Sequence, residues 1–358
     1  MVCKMLNIRY PIIQAGMAGG PTTPKLVAAV SETGALGTLG AGYMTPLQIR
    51  DTIHAIQQLT KAPFGVNLFL PERYEVDEKS ILNMQKQLNT YRMKLGISEV
   101  NTVPDRLDIF EQQLEVVMQS GVKIVSFTFD APSTSLVEKL HASGIVVIAT
   151  ATTVKEAVEL ESNGVDVIVA QGSEAGGHRG TFLDSENETM IGTMALVPQV
   201  VDAVSCSVIA SGGIMDGRGY AASLALGASG VQLGTAFLTV HESGASTIHQ
   251  QAILSSKDTD TKLTKAFSGK NARGLKNDMM LELEMIDKLP PYPVQHVLTS
   301  DIRKEAANQQ NKEMVSMWAG QAASLSKKHS AKELIESLEN SKKKIISELF
   351  SSHDTEST

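Results

Sequence analysis

The sequence predicts an α/β protein built on a (β/α)8 TIM barrel, with inserted and C-terminal helical segments. Three observations predict it. Eight short apolar runs, rich in β-branched residues, recur along the 358-residue chain, and a helix-like stretch follows each. The runs are continuously apolar rather than alternating, which suits parallel strands covered by helices on both faces. The distance from run to run is often about 20–27 residues, the length of one strand-plus-helix unit. An open doubly wound sheet is the alternative, but no G-x-G-x-x-G fingerprint follows the first run.

The expected strands are 11–17, 36–41, 63–70, 123–130, 145–151, 165–171, 207–214 and 230–238. Between them the helices carry their own punctuation. The helix over 24–33 begins at Pro24 and is followed by Gly34, the asymmetry expected of helix ends. The helix over 46–59 repeats Leu47, Ile49, Ile53, Ile56 and Leu59 at helical spacing. The helix over 153–163 starts on Thr153 and stops before Gly164, and the one over 216–226 ends at Gly227. Two stretches interrupt the repeat. Residues 71–107 are polar and read as a helical excursion from the third unit. Residues 239–300 form a long inserted loop and helical segment near the site. A late helix over 302–324 and an amphipathic one over 331–350 follow, with a frayed end from 351. The resulting division is a barrel core over 1–238, the insertion over 239–300 and C-terminal helices over 301–358, the first of which closes the barrel. The late helices either close that barrel or form the contact of a homo-oligomer.

Composition narrows the chemistry. Two cysteines, Cys3 and Cys206, are too few for a disulfide scaffold or a thiolate metal site and fit a reducing, cytoplasmic setting. The net charge of −7 argues against a nucleic-acid surface. No run approaches the ~18 apolar residues of a membrane span, and residues 1–10 lack an apolar signal core. The histidines show no metal-ligand spacing, so no metal is expected. There are 28 glycines but only 4% aromatic residues.

In a barrel of this kind the site lies at the carboxyl ends of the strands, with phosphate in the loops after strands seven and eight. Gly212 and Gly213 end the seventh run, and Gln232, Leu233, Gly234 and Thr235 lie in the eighth. These glycines either present bare N–H groups to an anion or only make tight turns. Around the sixth strand end, Gln171, Gly176, Gly177 and His178 sit in AQGSEAGGHRG. Here an imidazole that titrates near neutral pH stands among glycines that admit a flat ligand. Glu174 either orients His178 or is a solvated carboxylate. Asn67, on the third strand, matches a heterocycle edge or caps a turn. After the first strand, Gln14, Ala15, Gly16 and Met17 leave room for a planar ring. The combination describes a single-phosphate, flat-ring cofactor held by amides, glycines and one histidine, without an aromatic cage.

The segments PIIQAGMAGG (11–20), PFGVNLFL (63–70), AQGSEAGGHRG (170–180), ASGGI (210–214) and VQLGTAF (231–237) resemble nitronate monooxygenases, formerly 2-nitropropane dioxygenases. AFSGKNARGL (266–275) and MWAGQA (317–322) extend the likeness into the late region. The resemblance implies an FMN-binding oxidoreductase of the detoxifying, monooxygenase type. Its small-molecule substrates would be alkyl nitronates such as propionate 3-nitronate, with O2. It implies that Asn67, Gln171 and Gly176 contact the flavin, that Gly213 and 232–235 hold its phosphate, and that His178 is catalytic. His178 would act either protonated, attracting the anion, or neutral, as a base. Lys270 stands where the family pattern leads one to expect arginine. The alternatives are an FMN- and NAD(P)H-dependent enoyl-acyl-carrier-protein reductase and, further off, a non-catalytic barrel binding a phosphorylated metabolite.

Overall fold

A computed structural model describes residues 1–72, 74–75, 77–103, 109–183 and 189–351. The expected frayed end lies almost wholly outside them. The strands are β1 (Ile12–Gln14), β2 (Gly37–Gly40), β3 (Phe64–Phe69), β4 (Ile124–Thr128), β5 (Val146–Ala151), β6 (Val167–Gln171), β7 (Gly177–His178), β8 (Ser207–Ser211), β9 (Gly230–Leu233), β10 (Thr261–Thr264) and β11 (Ala272–Leu275). Eight of them pair in parallel in the order β1-β9-β8-β6-β5-β4-β3-β2. Each of the eight apolar runs is thus a barrel strand. β7, β10 and β11 form a separate antiparallel sheet.

The barrel closes where β1 meets β2, and that seam is thin. One bridge joins Ile13 to Leu36. Gln14 completes it with its side chain: Nε2 donates to the Thr38 carbonyl at 3.2 Å, and Oε1 accepts from the Thr38 N–H at 3.1 Å. A primary amide carries the same donor and acceptor as a peptide unit, so it extends the ladder where backbone pairing ends. The Gln14 side chain, expected at the cofactor, is fully buried and is not among the residues lining the cavity. Gln14→Leu is expected to cost about 1–3 kcal/mol for each Thr38 group left unpaired. A lowered urea midpoint is the measurement, and an unchanged midpoint would refute the role.

Inside the barrel, Ile13, Leu36, Ile124, Ile148, Val167, Val169 and Ile209 pack with Val2 and Leu6 of the helix Val2–Leu6. That first helix plugs the barrel. Outside, the strands bury their other face against helices that start on capping residues. Thr23 accepts from Leu26 N–H ahead of Pro24–Glu32, and Thr45 makes a reciprocal capping box with Gln48 ahead of Pro46–Leu59. Each such cap satisfies a donor the helix itself leaves unpaired.

The excursion contains the helix Glu78–Leu95. Its Ile81, Met84, Leu88, Tyr91 and Leu95 share a second core with Phe267, Met280, Leu283, Leu298 and Ile302. Arg92, 1% exposed, fastens the two parts by pairing with Asp301 at 2.7 Å and donating to the Leu298 carbonyl at 2.8 Å. The late region departs from expectation. Instead of one helix over 302–324 there is Ser300–Asn308, then short 3-10 turns at Lys312–Met314 and Ala323–Leu325. The late helix that packs on the outer helices of the barrel is the last one. Ala331–Ser351 lies on Gly217–Ala225 and Pro24–Glu32, burying Leu334, Ile335 and Leu338 in the main core. Tyr220 donates to Glu339 at 3.0 Å, and Lys342 pairs with Glu339 at 2.8 Å. No helix among the described residues is long and apolar enough to cross a membrane.

Candidate active site

The carboxyl ends of the barrel strands surround one cavity. Ala15, Gly16, Met17, Asn67, Gln171, Gly176, Gly177, His178, Gly212, Gly213, Gln232, Leu233, Gly234 and Thr235 all line it. Of the residues expected to contact cofactor or substrate, only Gln14 is absent from this lining.

One end of the cavity is a cradle of bare backbone. Gly212 and Gly213 hold φ of 113° and 70°, a region that side chains other than glycine enter only at a cost. The N–H groups of Gly212, Gly213 and Gly234 donate to no protein acceptor among the described residues. Thr235 Oγ1 accepts from the Gly320 N–H at 3.0 Å, which leaves its own proton to donate. Among the described residues no lysine or arginine lines the cavity. Unpaired N–H groups and a hydroxyl fit a phosphate without cationic help. The cradle closes under the late strap 317–320. A Cβ on Gly176 would stand 2.5 Å from Gly320 N and 2.6 Å from the Ala319 carbonyl carbon.

The amides are more committed than the sequence suggested. Asn67 Nδ2 donates to Ser126 Oγ at 2.9 Å and Thr128 Oγ1 at 3.2 Å, leaving Oδ1 as an acceptor. Gln171 spends both ends on its own loop, donating to the His178 carbonyl at 3.1 Å and accepting from the Gly180 N–H at 2.9 Å. Arg179 is buried and donates to the Thr189 carbonyl at 2.6 Å and to the Gln171 carbonyl. It shapes the loop instead of facing substrate.

His178 stands on strand β7, paired through Ala272 and Arg273 of β11, so it is fixed by a small sheet and not carried on a free loop. Its Nε2 lies 2.8 Å from Ser268 Oγ. Ser268 Oγ in turn donates to the Lys270 carbonyl at 3.2 Å. With its one proton engaged there, the serine oxygen accepts from Nε2–H, which leaves Nδ1 as the unprotonated nitrogen. Nδ1 has no hydrogen bond among the described residues. Burial, with the positive charges of Lys270 and Arg303, pushes the His178 pKa down to about 3. The imidazole is therefore neutral at neutral pH.

Glu174 neither orients His178 nor sits free in solvent. Its carboxylate accepts from Thr193 N–H and Oγ1 at 2.9 Å. It thus caps the helix Thr193–Ala203, whose Gly192 offers no side chain for the task. A carboxylate suits a helix N-terminus.

The largest correction concerns aromatics. Phe129, Tyr292 and Trp318 surround His178 with ring centroids at 5.7, 5.6 and 5.4 Å. Phe69 lies 4.5 Å from Phe129 and 5.1 Å from Tyr43. Phe129 holds φ of 82°, strain of the kind that collects at functional sites. His249 Nε2–H donates to the Trp318 carbonyl at 2.9 Å, securing the strap. These rings come from segments far apart in sequence. Their overall scarcity hid the fact that they gather in one place.

Comparison with known proteins agrees with this geometry. The family model described as nitronate monooxygenase matches residues 1–341. A Staphylococcus aureus (strain Newman) protein named "Probable nitronate monooxygenase" is 49% identical over 339 residues, covering 94% of this chain and 95% of the relative. Among solved structures, a nitroalkane oxidase from Streptomyces ansochromogenes matches at 37% identity and a TM-score of 0.91, covering 97% of this chain and 99% of its own. FabK from Thermotoga maritima matches at 30% identity and a TM-score of 0.78, covering 98% of each chain. With a (β/α)8 barrel and a family match across nearly its whole length, this chain belongs to the nitronate monooxygenase family, the flavin-dependent oxidoreductases.

Proposed function

We propose that the chain binds FMN and oxidises alkyl nitronates, propionate 3-nitronate among them, with O2 to a carbonyl compound and nitrite. Two nitronates and one O2 balance to two carbonyl compounds and two nitrite ions. The observation that carries this reading is a neutral, tautomer-fixed imidazole set beside an uncharged phosphate cradle in one cavity. Gly212, Gly213, Gly234 and Thr235 would hold the phosphate. Gly16 and Met17 would leave the space for the ring, and Asn67 Oδ1 would accept from a ring N–H. FMN, when bound, supplies the electron-transfer chemistry toward O2. His178 Nδ1 would accept the α-proton of a neutral nitroalkane, so that the nitronate is generated in place. Ser268 holds the imidazole in the tautomer that step requires. Detoxification of nitro compounds follows from the chemistry. Two unpaired thiols, Cys3 and Cys206, fit a cytoplasmic setting.

The test is the visible spectrum of the purified protein before and after adding propionate 3-nitronate in air, with nitrite measured. A yellow protein that releases nitrite without NAD(P)H supports the proposal. Anaerobic bleaching by NADH, with no nitrite from nitronate, would favour an enoyl reductase. A colourless protein that FMN does not reconstitute would favour a phosphometabolite-binding barrel.

A further inference from the structure

Arg303 is a deeply placed cation that the reaction as described does not use. Its Nε donates to Thr299 Oγ1 at 3.1 Å, Nη1 to Ser316 Oγ at 3.3 Å, and Nη2 to the His296 carbonyl at 2.9 Å and His296 Nδ1 at 3.3 Å. Every partner is neutral. Among the described residues no carboxylate lies within salt-bridge distance of it; Asp301, two residues away, is taken by Arg92. The other cation of this region, Lys270, faces Glu72 at 3.2 Å. The guanidinium therefore leaves one positive charge unmatched. Burying an unmatched charge is unfavourable, and a bound anion relieves that cost.

The charge communicates with the cavity through two rings. Because His296 Nδ1 accepts from Arg303, the ring's proton is on Nε2. The ring stacks on Tyr43 with centroids 4.1 Å apart and planes 15° apart. Tyr43 lines the cavity. Tyr292 donates to the Tyr43 oxygen at 3.4 Å, so the Tyr43 proton has no acceptor among the described residues. Burial holds the Tyr43 pKa up at about 12, which keeps that proton in place as a donor. Tyr292 also packs against His178. This corner thus offers more donors than acceptors, carries positive charge and lies one aromatic ring from the reaction centre.

We propose that Tyr43 and Arg303 form an anion-selective subsite and determine specificity: Tyr43 donates to a carboxylate on the substrate, and Arg303, behind the Tyr43–His296 stack, supplies the counter-charge. The class selected is a short nitronate that carries a carboxylate a few bonds from its reacting carbon. The inference rests on the reading of this cavity as the nitronate site.

The test compares propionate 3-nitronate with propyl-1-nitronate, which has the same carbon count and no carboxylate, on the flavin-loaded enzyme. The readout is the ratio of their kcat/KM values, from which any general loss in a variant cancels. Arg303→Met is expected to lower the ratio about tenfold, Tyr43→Phe a few-fold, and Arg303→Lys to restore part of the loss. A ratio within about twofold of wild type in both Arg303→Met and Tyr43→Phe overturns the proposal. If Arg303→Met does not fold, Tyr43→Phe and Arg303→Lys decide. A calorimetric titration of succinate into the same proteins separates this from the functional reading. Succinate binding that weakens in these variants supports the subsite even if no nitronate is turned over. A wild-type protein that binds no succinate overturns it.

Discussion

His178→Ala lowers kcat/KM for a neutral nitroalkane such as nitroethane by about 10²–10⁴-fold, the range a positioned general base contributes. The preformed nitronate has already lost that proton, so its turnover is expected to fall far less, and flavin content is expected to be unchanged because Gly212, Gly213, Gly234 and Thr235, the proposed phosphate site, are untouched. Equal losses on both substrates would show that His178 acts on the anion itself. The pH dependence carries a second signature. The His178 pKa is pushed from 6.5 down to about 3, so the base form survives acidification. The kcat/KM for nitroethane should stay flat through pH 6.5, and a limb there would refute the assignment. Stability follows the same sign. Between pH 6.5 and 3 the unfolded chain binds a proton at this histidine and the folded one does not. This contribution is fully present above pH 6.5 and is lost as pH falls toward 3.

Gly176→Ala is the second large effect. A methyl group there meets backbone at 2.5 Å on one side of the strap. Backbone cannot rotate out of the way, so residues 317–320 must move. Those residues carry Trp318 beside His178 and the Gly320 N–H bonded to Thr235. Both ends of the site therefore shift together. A misplacement of about 1 Å can cost ~10²-fold in rate, and flavin retention should fall with it. Full activity and normal flavin content in Gly176→Ala would show that the strap does not shape the site.

The barrel was legible because its signals are local. Eight apolar runs, proline starts and glycine stops each report on their own neighbourhood, and all eight runs became strands. The glycine-lined end of the cavity was legible for the same reason, since glycines at consecutive strand ends form it. What the sequence hid was whatever depends on contacts between distant segments. Gln14 sits in the right segment, but only its pairing with Thr38 reveals that it closes the seam. Glu174 lies four residues from His178, yet its partner is the helix that begins at Thr193. The partner of His178 is Ser268, 90 residues away. The aromatic cluster draws on Tyr43, Phe129, Tyr292 and Trp318, and no spacing rule joins those positions. The expected helix over 302–324 failed at Asn308 because the chain there must turn to bring residues 317–320 across the cavity.

That strap is held by a small number of bonds that can be followed one at a time. Ala319 N–H donates to the Arg273 carbonyl at 3.2 Å, Gly320 N–H to Thr235 Oγ1 at 3.0 Å, and Gln321 N–H to the Glu174 carbonyl at 2.9 Å. A segment held this way is expected to open locally at a lower cost than global unfolding. The three amides are therefore reporters of residence time: the rate at which they trade hydrogen for deuterium measures how often the cradle uncovers, and hence how quickly a cofactor can leave or be replaced.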